Sequence, residues 1–426
     1  MDSQKTIAVL GGGAAGMMAA VAAAAGARVI LFEKNKYLGA KVLISGGGRC
    51  NVTTGIFDVR KLMENYPRGA KFLLSAMFRF PPEKVREWFE THGVPLKIEE
   101  DLRIFPVSNN GHDVVGALEA ELRRLNVEVM VGADVVDVRK INNYELIINN
   151  FVITLKDGRE FEADAVVVTT GGNAYRHTGS TGDGYAFAKN FGHAITPLGA
   201  SLNSFLTSQI FVKKLAGVSF EKVALMMKSF DGTRVFKRTG PIVFTHHGVS
   251  GPAVFAMSAA AAFEAYDRAK PMSLFLNFFA DETAEALRAK FIALQERAGK
   301  KFLVNFLDMF LPRSLCLLFT EILKLDSQLF AAKLTREERE KILELMQNFP
   351  LSVIGRGAGD EFVTAGGVAL EEVNTNTMES KKQPGLFFAG EILDVDGFTG
   401  GFNLQASWAM GKLAGGFAAV AKPSRE

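Results

Sequence analysis

The chain opens with two short apolar segments on either side of an alanine-rich stretch. Thr6–Leu10 is a short apolar run, and residues 28–32 form a second apolar run with β-branched members. Such runs are typical of buried strands, whereas the alanines of residues 17–25 favour a helix that ends at Gly26. The pattern therefore predicts a strand–helix–strand unit with both strands in one parallel sheet.

Similar patterns return later in the chain. The β-branched runs at 127–131 and 133–139 predict a third strand of the same sheet followed by a β-meander, and residues 165–170 form another buried strand. Residues 386–389 are a short apolar run, and residues 400–405 open a helical stretch that runs to Val420. The sequence thus predicts a Rossmann-type α/β fold to which the C-terminal residues return.

The Rossmann pattern is interrupted between the two prolines at residues 197 and 350. Residues 205–257 show short alternating strands and turns, whereas residues 281–349 have a helical pattern. A chain of 426 residues is long enough for two or three domains. We therefore predict a discontinuous Rossmann-type domain at 1–196 and 351–426, an inserted β-rich subdomain at 197–280 and a helical subdomain at 281–350.

Glycines follow the first predicted strand with the spacing of a dinucleotide-binding loop. Gly11 allows the tight turn, Gly13 lets the backbone approach a pyrophosphate, and Gly16 lets the helix lie close to the strand. The N-terminus of the helix offers free N–H groups and a positive dipole to that anion. Glu33 follows the second strand, where an acid binds the ribose hydroxyl groups. Because all of these parts occur in order, we predict a bound dinucleotide.

A second glycine cluster lies shortly after this acid. Gly46, Gly47 and Gly48 follow Ser45 and precede Arg49. Three consecutive glycines can form a nest of N–H donors for a phosphate or a reduced flavin ring, and Arg49 would add positive charge. An NAD site needs only the first loop, whereas FAD is a longer, two-part nucleotide. The sequence therefore favours FAD as the cofactor.

A set of motifs resembles those of the BaiN- or YhiN-like flavoprotein family, also labelled aminoacetone-oxidase-like. The motifs are GGGAAG with Glu33, ISGGGRCNVT (44–53), TTGG with TGSTGDGY (169–185), FTHHGVSGP (244–252), VTAGGV (363–368) and FFAGEILDVDGFTGGFNLQ (387–405). They span the chain and occur in this order, which makes the resemblance specific. One difference lies at residues 173–176, where this chain has NAYR and family members commonly carry a short Ser-Tyr-Pro stretch.

The motifs and the resemblance together imply an FAD site built from both ends of the Rossmann domain. The resemblance adds Val136, whose backbone would reach the adenine, and an acid after the last strand that binds the ribityl chain. Glu391, Asp394 and Asp396 are alternatives for that acid. The expected cofactor-binding residues are Gly11, Gly13, Ala14, Ala15, Gly16, Glu33, Lys34, Gly39, Lys41, Ser45, Gly46, Gly47, Gly48, Arg49, Cys50, Asn51, Val136, Thr170, Gly171, Gly172, Gly390, Glu391, Asp394, Asp396, Gly397, Gly400, Gly401, Phe402, Asn403 and Gln405.

Two residues are candidates for catalysis. Cys50 follows the second glycine cluster, where a thiol with a lowered pKa would act as an acid or nucleophile; the alternative is a small residue packed beside the cofactor. His246 stands at the histidine of the family motif and would exchange the proton that accompanies hydride transfer. The alternative is a histidine that hydrogen-bonds the turn at residues 250–252. His247 is adjacent, but no third ligand is visible, so no metal site is predicted.

Composition narrows the class of protein. Hydrophobic residues make up 48% and charged residues 22% of the chain, which is typical of a folded enzyme. The two cysteines, Cys50 and Cys316, form no CxxC pair, which indicates a reducing cytoplasm and removes the signature of a flavin disulfide reductase. Residues 6–27 carry no charge, but their glycine and alanine content argues against a membrane or targeting segment.

Positive charge is concentrated in two segments. Residues 60–97 hold eight basic and four acidic residues, and residues 210–240 hold seven basic and two acidic residues, although the formal net charge of the whole chain is only +3. Such segments form a polyanion-binding face or belong to an ordinary solvated surface.

The expected function is an FAD-dependent oxidoreductase whose flavin is reduced by NADH or NADPH. Only one clear dinucleotide fingerprint is present, so reductant and acceptor would use the flavin in turn. The resemblance implies several acceptors: a ribosomal RNA uracil reduced to dihydrouridine, a bile acid, or an amine. The basic segments favour RNA. A small-molecule oxidase or reductase and a non-enzymatic flavin-carrying sensor are the alternatives.

Overall fold

The computed structural model describes residues 4–143, 148–229, 231–357 and 362–420, apart from the side chains of residues 142–143 and 148–149. The chain forms two compact units, one of Met1–Ala200 with Glu361–Glu426 and one of Ser201–Asp360. In the described residues, no helix is both long enough and apolar enough to cross a membrane.

The helices and strands follow one another in three stretches of chain. Up to residue 201 they are β1 (Thr6–Leu10), α1 (Ala14–Ala23), β2 (Arg28–Glu33), α2 (Ala40–Ile44), β3 (Thr53–Thr54), α3 (Val59–Met63), α4 (Ala70–Arg79), α5 (Pro82–Thr91), β4 (Leu96–Ile98), β5 (Arg103–Pro106), α6 (Gly111–Arg124), β6 (Glu128–Val131), β7 (Val135–Asn143), β8 (Ile148–Leu155), β9 (Glu160–Ala163), β10 (Ala165–Val168), α7 (Asp183–Asn190) and β11 (Gly199–Ser201). The next stretch holds β12 (Phe205–Thr207), β13 (Ser219–Lys228), β14 (Val235–Phe244), β15 (Gly248–Ser250), α8 (Pro252–Ala260), β16 (Met272–Asn277), α9 (Ala284–Glu296), α10 (Leu303–Leu307), α11 (Arg313–Leu323), α12 (Arg336–Gln347) and β17 (Phe349–Arg356). The last stretch holds β18 (Val363–Ala365), β19 (Leu386–Phe388) and α13 (Phe402–Val420).

A parallel sheet forms the centre of the first unit. Its strand order is β19-β10-β1-β2-β6, and every neighbouring pair is parallel. Helices α1 and α13 lie in backbone contact, because Cβ atoms at Gly411 and Gly415 would come within 2.3 Å of Ala15 O and 2.0 Å of Ala19 O. This arrangement confirms the predicted Rossmann-type α/β fold and brings the C-terminal helix beside the first one.

Smaller sheets surround the parallel sheet. Strands β7, β8 and β9 form an antiparallel meander, as the sequence predicts, and β3, β5 and β4 form a second antiparallel sheet. Strand β11 pairs with β18.

The second unit is built on a closed antiparallel barrel with strand order β12-β15-β14-β13-β16-β17. Helices α9 to α12 lie in the sequence between β16 and β17, so the helical region is inserted within the barrel. The predicted domain boundary at residue 351 falls inside β17. This strand belongs to the second unit, because it closes the barrel by pairing with both β12 and β16. A strand that pairs at long range carries no local sign of the domain that it completes.

A buried histidine ties the segment after α7 to the loop before β19. Nδ1 of His193 lies 3.1 Å from Oε2 of Glu372, and Nε2 lies 2.7 Å from Oγ of Ser380. The ring is 3% exposed, so it is held in the neutral form with Nδ1–H donating to Glu372 and the Ser380 hydroxyl donating to Nε2. The network fixes the approach to β19, the strand that leads into the C-terminal motif.

Acidification is expected to destabilise the first unit through His193. Burial lowers the pKa of His193 below 6.5, although Glu372 acts in the opposite direction. An unfolded chain therefore binds more protons than the folded one as the pH falls below this value. This contribution to the free energy of unfolding is fully present above the unfolded pKa and is lost as the pH falls through the folded pKa. Urea unfolding at a series of pH values measures it.

The matched variant is His193→Gln, which keeps a polar side chain but cannot be protonated. We expect its free energy of unfolding to vary less with pH between neutral and mildly acidic conditions than that of the wild type. Equal pH dependence in the two proteins would show that His193 does not carry the effect.

Candidate flavin-binding site

The first glycine loop joins β1 to α1 with little space around it, except at one position. Gly11 has φ 105° and donates its N–H to Phe32 O at 2.8 Å. A Cβ atom at Gly16 would lie 1.8 Å from Gly11 O, whereas a Cβ atom at Gly13 would have no atom within 4 Å. The loop is therefore packed on its inner side and open at Gly13, where Ala14 and Ala15 begin α1.

Glu33 lies directly beside this loop. One carboxylate oxygen accepts the N–H of Gly12 at 2.7 Å, and the other accepts the N–H of Asn35 at 2.8 Å. The residue is 8% exposed. Because each carboxylate oxygen has more than one lone pair, Glu33 keeps acceptor capacity for hydroxyl groups while it holds the loop in shape.

Residues after Glu33 bind other parts of the first unit. Lys34 Nζ lies 2.5 Å from Asp183 Oδ2 and 2.5 Å from Thr181 Oγ1. Gly39 has φ 70° and donates its N–H to Gly12 O at 2.9 Å. Lys34 therefore binds Thr181, which precedes α7, and Asp183, which begins it. Gly39 closes the first loop through its hydrogen bond to Gly12.

The second glycine cluster is a run of left-handed residues. Gly46, Gly47 and Gly48 have φ 57°, 70° and 86°, and all three are exposed. Ser45 donates its hydroxyl to Val42 O at 2.7 Å. A Cβ atom at Gly47 would have no atom within 4 Å. Consecutive left-handed residues favour glycine, and the exposed backbone N–H groups of such a turn are candidates for binding an anion.

Arg49 was expected to add positive charge to this cluster, but its guanidinium group is bound by other residues of the protein. Its guanidinium carbon lies 3.9 Å from the centre of the Phe105 ring, its Nε donates to Asn109 Oδ1 at 3.0 Å, and it forms an ion pair with Glu99. The charge of Arg49 is therefore neutralised within the protein. Glu99 and Asn109 are far away in sequence, which is why the local pattern did not reveal them.

Cys50 also departs from its predicted role. The residue is fully buried, and burial raises the pKa of its thiol to about 12, although a hydrogen bond with Ser45 acts in the opposite direction. A thiol with a raised pKa remains protonated at neutral pH and is a poor nucleophile. The expectation of a lowered pKa is therefore corrected, and the packed-residue alternative fits the geometry.

Replacement of Cys50 by alanine is expected to leave turnover within about twofold and to lower the free energy of unfolding by about 1 kcal/mol. The reason is that the buried thiol contributes packing and no chemistry. Cys316→Ala is the matched control, because Cys316 is equally buried and burial also raises the pKa of its thiol to about 12. Steady-state turnover and urea unfolding of both variants check this. A large loss of turnover confined to Cys50→Ala would show that Cys50 takes part in the reaction.

A polar cluster joins the TTGG, VTAGGV and C-terminal motifs. Lys41 Nζ lies 2.6 Å from Glu391 Oε2, and Glu391 Oε1 accepts the N–H of Thr364 at 2.8 Å. Thr364 Oγ1 in turn accepts the N–H of Asn173 at 2.7 Å. A Cβ atom at Gly172 would approach Thr364 Oγ1 to 2.5 Å. Thr364 is a site residue that the sequence reasoning missed, although it lies inside a quoted motif.

The three C-terminal acids have different partners. Glu391 is ion-paired with Lys41, and Asp396 is fully buried in an ion pair with Arg68. Asp394 Oδ2 accepts the hydroxyl of Thr196 at 3.1 Å, while its Oδ1 is buried without a hydrogen-bond partner in the described part of the chain. Since Glu391 and Asp396 are both ion-paired, this criterion does not separate them, and all three acids remain candidates for the ribityl chain.

The same region also contains a buried hydroxyl group without a partner and two glycines with positive φ. Thr170 Oγ1 is buried and has no hydrogen-bond partner among the described residues. Gly171 has φ 74°, and Gly390 has φ 84° and packs on Ala15, whose Cβ atom a Cβ at Gly390 would approach to 2.9 Å. Val136 is half exposed at the start of β7.

The turn before α13 is held by protein contacts. Gly400 and Gly401 have φ 137° and 87°, and a Cβ atom at Gly401 would lie 2.3 Å from Thr53 O. With its amide oriented to satisfy both ends, Asn51 accepts the N–H of Gly401 at 2.8 Å and donates to the carbonyls of Ile104 and Thr53. Asn51 thereby joins the second glycine cluster to the start of α13.

Three expected cofactor contacts at the start of α13 are directed into the protein. Gln405 is fully buried, accepts from Thr53 Oγ1 at 2.6 Å and donates to Phe80 O at 2.8 Å. Asn403 makes two hydrogen bonds to the backbone of Gly397, each 2.8 Å long. The Phe402 ring is buried as well. The amides of Gln405 and Asn403 are therefore satisfied within the protein, so a contact of these residues with the cofactor would come from the backbone N–H groups of the helix N-terminus.

His246 belongs to the other unit, in the turn between β14 and β15. The Thr245 hydroxyl holds this turn by accepting the N–H groups of His247 at 3.3 Å and Gly248 at 3.1 Å. The imidazoles of His246 and His247 are exposed, and no hydrogen bond from either is found in the described residues. The alternative in which His246 secures the turn at residues 250–252 is therefore not what the structure shows.

The first unit therefore offers what a long, anionic dinucleotide requires. Two helix N-termini with glycine turns and a left-handed glycine run supply N–H donors, and the space at Gly13 and Gly47 is open to a ligand. Asp394 and Thr170 present buried polar atoms that a hydroxyl-rich chain would satisfy. These residues fit FAD.

The fold and the site define an FAD-dependent oxidoreductase of the Rossmann type, as predicted. Comparisons with known proteins agree with this class. The chain belongs to the family described as HI0933-like protein Rossmann domain, whose model matches residues 5–417.

Relatives match the chain over most of its length. It is 32% identical to the 3-dehydro-bile acid delta(4,6)-reductase of Clostridium scindens over 92% of this chain and 93% of the relative. It is 29% identical to the ribosomal RNA dihydrouridine synthase of Escherichia coli over 90% of each chain. The crystal structure of 3-ketosteroid-delta4-(5alpha)-dehydrogenase from Rhodococcus jostii has the same fold, with a TM-score of 0.52, 15% identity and coverage of 98% of this chain and 97% of that chain.

Proposed function

We propose that this protein reduces a carbon–carbon double bond conjugated to a carbonyl group, with NADH or NADPH as the electron donor. The activities named for two relatives both fit this reaction class. A 3-dehydro bile acid has an oxo group in conjugation with its ring double bonds, and uracil has a carbonyl beside the double bond that becomes saturated in dihydrouridine. The matches cover 92% and 90% of this chain, and the family model extends over residues 5–417, which includes both ends of the candidate site.

The overall reaction is balanced in atoms and electrons. NAD(P)H loses a hydride and becomes NAD(P)⁺, the hydride ends on the carbon β to the carbonyl, and a proton ends on the α carbon. Bound FAD supplies the two-electron chemistry that connects donor and acceptor. The glycine loops and helix N-termini would hold its phosphates, and Glu33 would bind its ribose. One of Glu391, Asp394 and Asp396 would bind its ribityl chain. His246 remains the candidate for the proton donor.

We propose a uracil of ribosomal RNA as the acceptor. The supporting observation is unpaired positive charge on the exposed hairpin of β13 and β14 and the segment before it. Lys213, Lys228 and Lys237 are exposed, and none of them has an ion pair within the described residues. A polyanionic substrate needs such charge, whereas a steroid or an amine does not.

Not all of the basic residues in the two segments are available for this purpose. Arg68 is buried against Asp396. Other basic residues have carboxylate partners on the surface, in the pairs Lys84–Glu87, Arg86–Glu90, Lys214–Glu321, Lys222–Asp281 and Arg234–Glu264. Exposed basic residues without an ion pair in the described residues remain in both segments, because Arg60, Lys61 and Lys71 of the first segment also have none.

Nucleoside mass spectrometry of ribosomal RNA tests this acceptor. RNA from cells with and without the gene is compared, and the deletion is complemented with the wild type or with Gly13→Asp as a flavin-binding control. We expect a dihydrouridine to disappear on deletion and to return only with the wild type. An unchanged dihydrouridine level would exclude ribosomal RNA as the acceptor in that host. Anaerobic loss of flavin absorbance on addition of NADH or NADPH tests the donor separately.

A small enone is the second candidate acceptor. The observation that favours it is the 32% identity to a relative named as a bile acid reductase. Under this hypothesis, a 3-oxo-Δ4 steroid reoxidises the reduced flavin anaerobically, and the deletion strain keeps its dihydrouridine. Absence of reoxidation by such steroids, together with loss of dihydrouridine on deletion, would exclude it.

A further inference from the structure

Two phenylalanines form an exposed stacked pair in the second unit. Phe302 and Phe330 are neighbours in an antiparallel bridge, and their ring centres lie 5.3 Å apart with an angle of 5° between the planes. Phe302 is 42% exposed, although phenylalanine has no polar group that benefits from water. Backbone hydrogen bonds from Leu303 N to Leu329 O at 2.7 Å and from Ala331 N to Lys301 O at 2.9 Å hold the two segments in this register. The rings are therefore presented on a fixed backbone.

Three lysines lie within three residues of this pair in the chain. Lys300, Lys301 and Lys333 are exposed, and none of them forms an ion pair within the described residues. Lys333 Nζ lies 5.8 Å from the centre of the Phe330 ring. Lys290 of α9 and Lys341 of α12 differ in this respect, because they are paired with Glu282 and Glu337. Charge and aromatic surface thus coincide at one place on the unit.

We propose that Phe302, Phe330, Lys300, Lys301 and Lys333 form an aromatic–basic platform that binds a single-stranded segment of RNA. A flat aromatic face with unpaired ammonium groups at its edge matches a nucleobase that stacks on the ring and phosphates that contact the lysines. The platform rests on the proposed RNA acceptor and adds a docking site for it. It lies outside residues 60–97 and 210–240, so the charge distribution along the sequence did not indicate it.

Fluorescence anisotropy with a labelled single-stranded oligouridylate of about twelve nucleotides tests the platform on the full-length, flavin-loaded protein. Phe302→Ala removes the exposed ring, and Lys300→Glu with Lys333→Glu reverses two charges. We expect Phe302→Ala to weaken binding about 5- to 150-fold, the range for loss of one base–aromatic stack. We expect the charge variant to lower the slope of log affinity against log salt by more than about 1.

Two matched controls lie outside the platform and outside both basic segments. Phe263→Ala removes a phenylalanine that is 47% exposed, and Lys189→Glu reverses an exposed lysine of α7. Both controls should bind the oligonucleotide as the wild type does, and equal flavin content across the set shows that each variant is folded. Equal affinity of the platform variants and the wild type would overturn the platform while the RNA acceptor stood.

Two other results also overturn it. The wild type could bind no oligouridylate, or it could bind phosphatidylglycerol vesicles instead and lose that binding in the platform variants. The acceptor itself is decided independently, because complementation of the deletion strain reports dihydrouridine whatever the oligonucleotide affinity is. Wild-type complementation without dihydrouridine would refute the proposed function, whereas dihydrouridine with unchanged platform variants would refute only the platform.

Discussion

Gly13→Asp is expected to give a folded protein that carries almost no flavin. Gly13 has φ −80° and ψ −168°, which any residue adopts, and a Cβ atom there would have no atom within 4 Å. The substitution therefore leaves the fold intact. The new carboxylate would face the pyrophosphate, and like charges about 4 Å apart repel by about 4 kcal/mol at an effective dielectric of about 20. That corresponds to about a thousandfold loss of affinity.

Flavin absorbance of the purified protein and FAD titration of the apoprotein measure this effect, and circular dichroism reports the fold. Gly16→Ala is the matched control in the same loop. Its Cβ atom would lie 1.8 Å from Gly11 O, so we expect a loss of stability of about 3 kcal/mol or more together with the loss of flavin. Normal flavin content in Gly13→Asp would show that the pyrophosphate lies elsewhere.

The contrast between these two glycines shows what the sequence could predict. Local patterns predicted β1 and β2, and the strand–loop–helix order defined the roles of Gly11, Gly13 and Gly16, because these features depend on residues close together in the chain. The strand β10 and the helix α13 were equally visible as apolar or helical runs. A parallel sheet then follows, since short apolar strands joined by helices have few other arrangements.

What the sequence could not predict depends on partners distant in the chain. Arg49 is neutralised by Glu99, Asp396 is paired with Arg68, and Gln405 is hydrogen-bonded to Thr53 and Phe80. Each of these residues was expected to contact the cofactor, because its motif was known and its partner was not. A charged or amide side chain that is buried must find a partner for its charge or its hydrogen bonds. That partner determines where the side chain lies, and it can come from anywhere in the sequence.

The same reasoning separates the two catalytic candidates. Burial of Cys50 removes the charge stabilisation that a reactive thiolate requires. The imidazole of His246, by contrast, is exposed and takes no part in hydrogen bonding within the described residues, so the fold does not account for its presence. A polar residue in a specific motif that contributes nothing to the fold is a stronger candidate for chemistry than one that is buried and satisfied.

His246→Gln is expected to reduce turnover with the acceptor by about 10²- to 10⁴-fold, the usual contribution of a general acid. Glutamine keeps a polar side chain of similar size but cannot deliver a proton. Flavin content and the anaerobic reduction by NAD(P)H should be retained, since the glycine loops that would hold the flavin belong to the first unit and His246 belongs to the second.

The adjacent His247 provides the control for His246, because it is also exposed, lies in the same turn and is held by the same Thr245 hydroxyl. We expect His247→Gln to turn over at nearly the wild-type rate. Single-turnover reoxidation of the reduced flavin by the acceptor separates the two variants: this step should slow in His246→Gln and stay near the wild-type rate in His247→Gln. Equal rates in the two variants would mean that the proton comes from solvent or from another residue, and the assignment of His246 as the acid would be wrong.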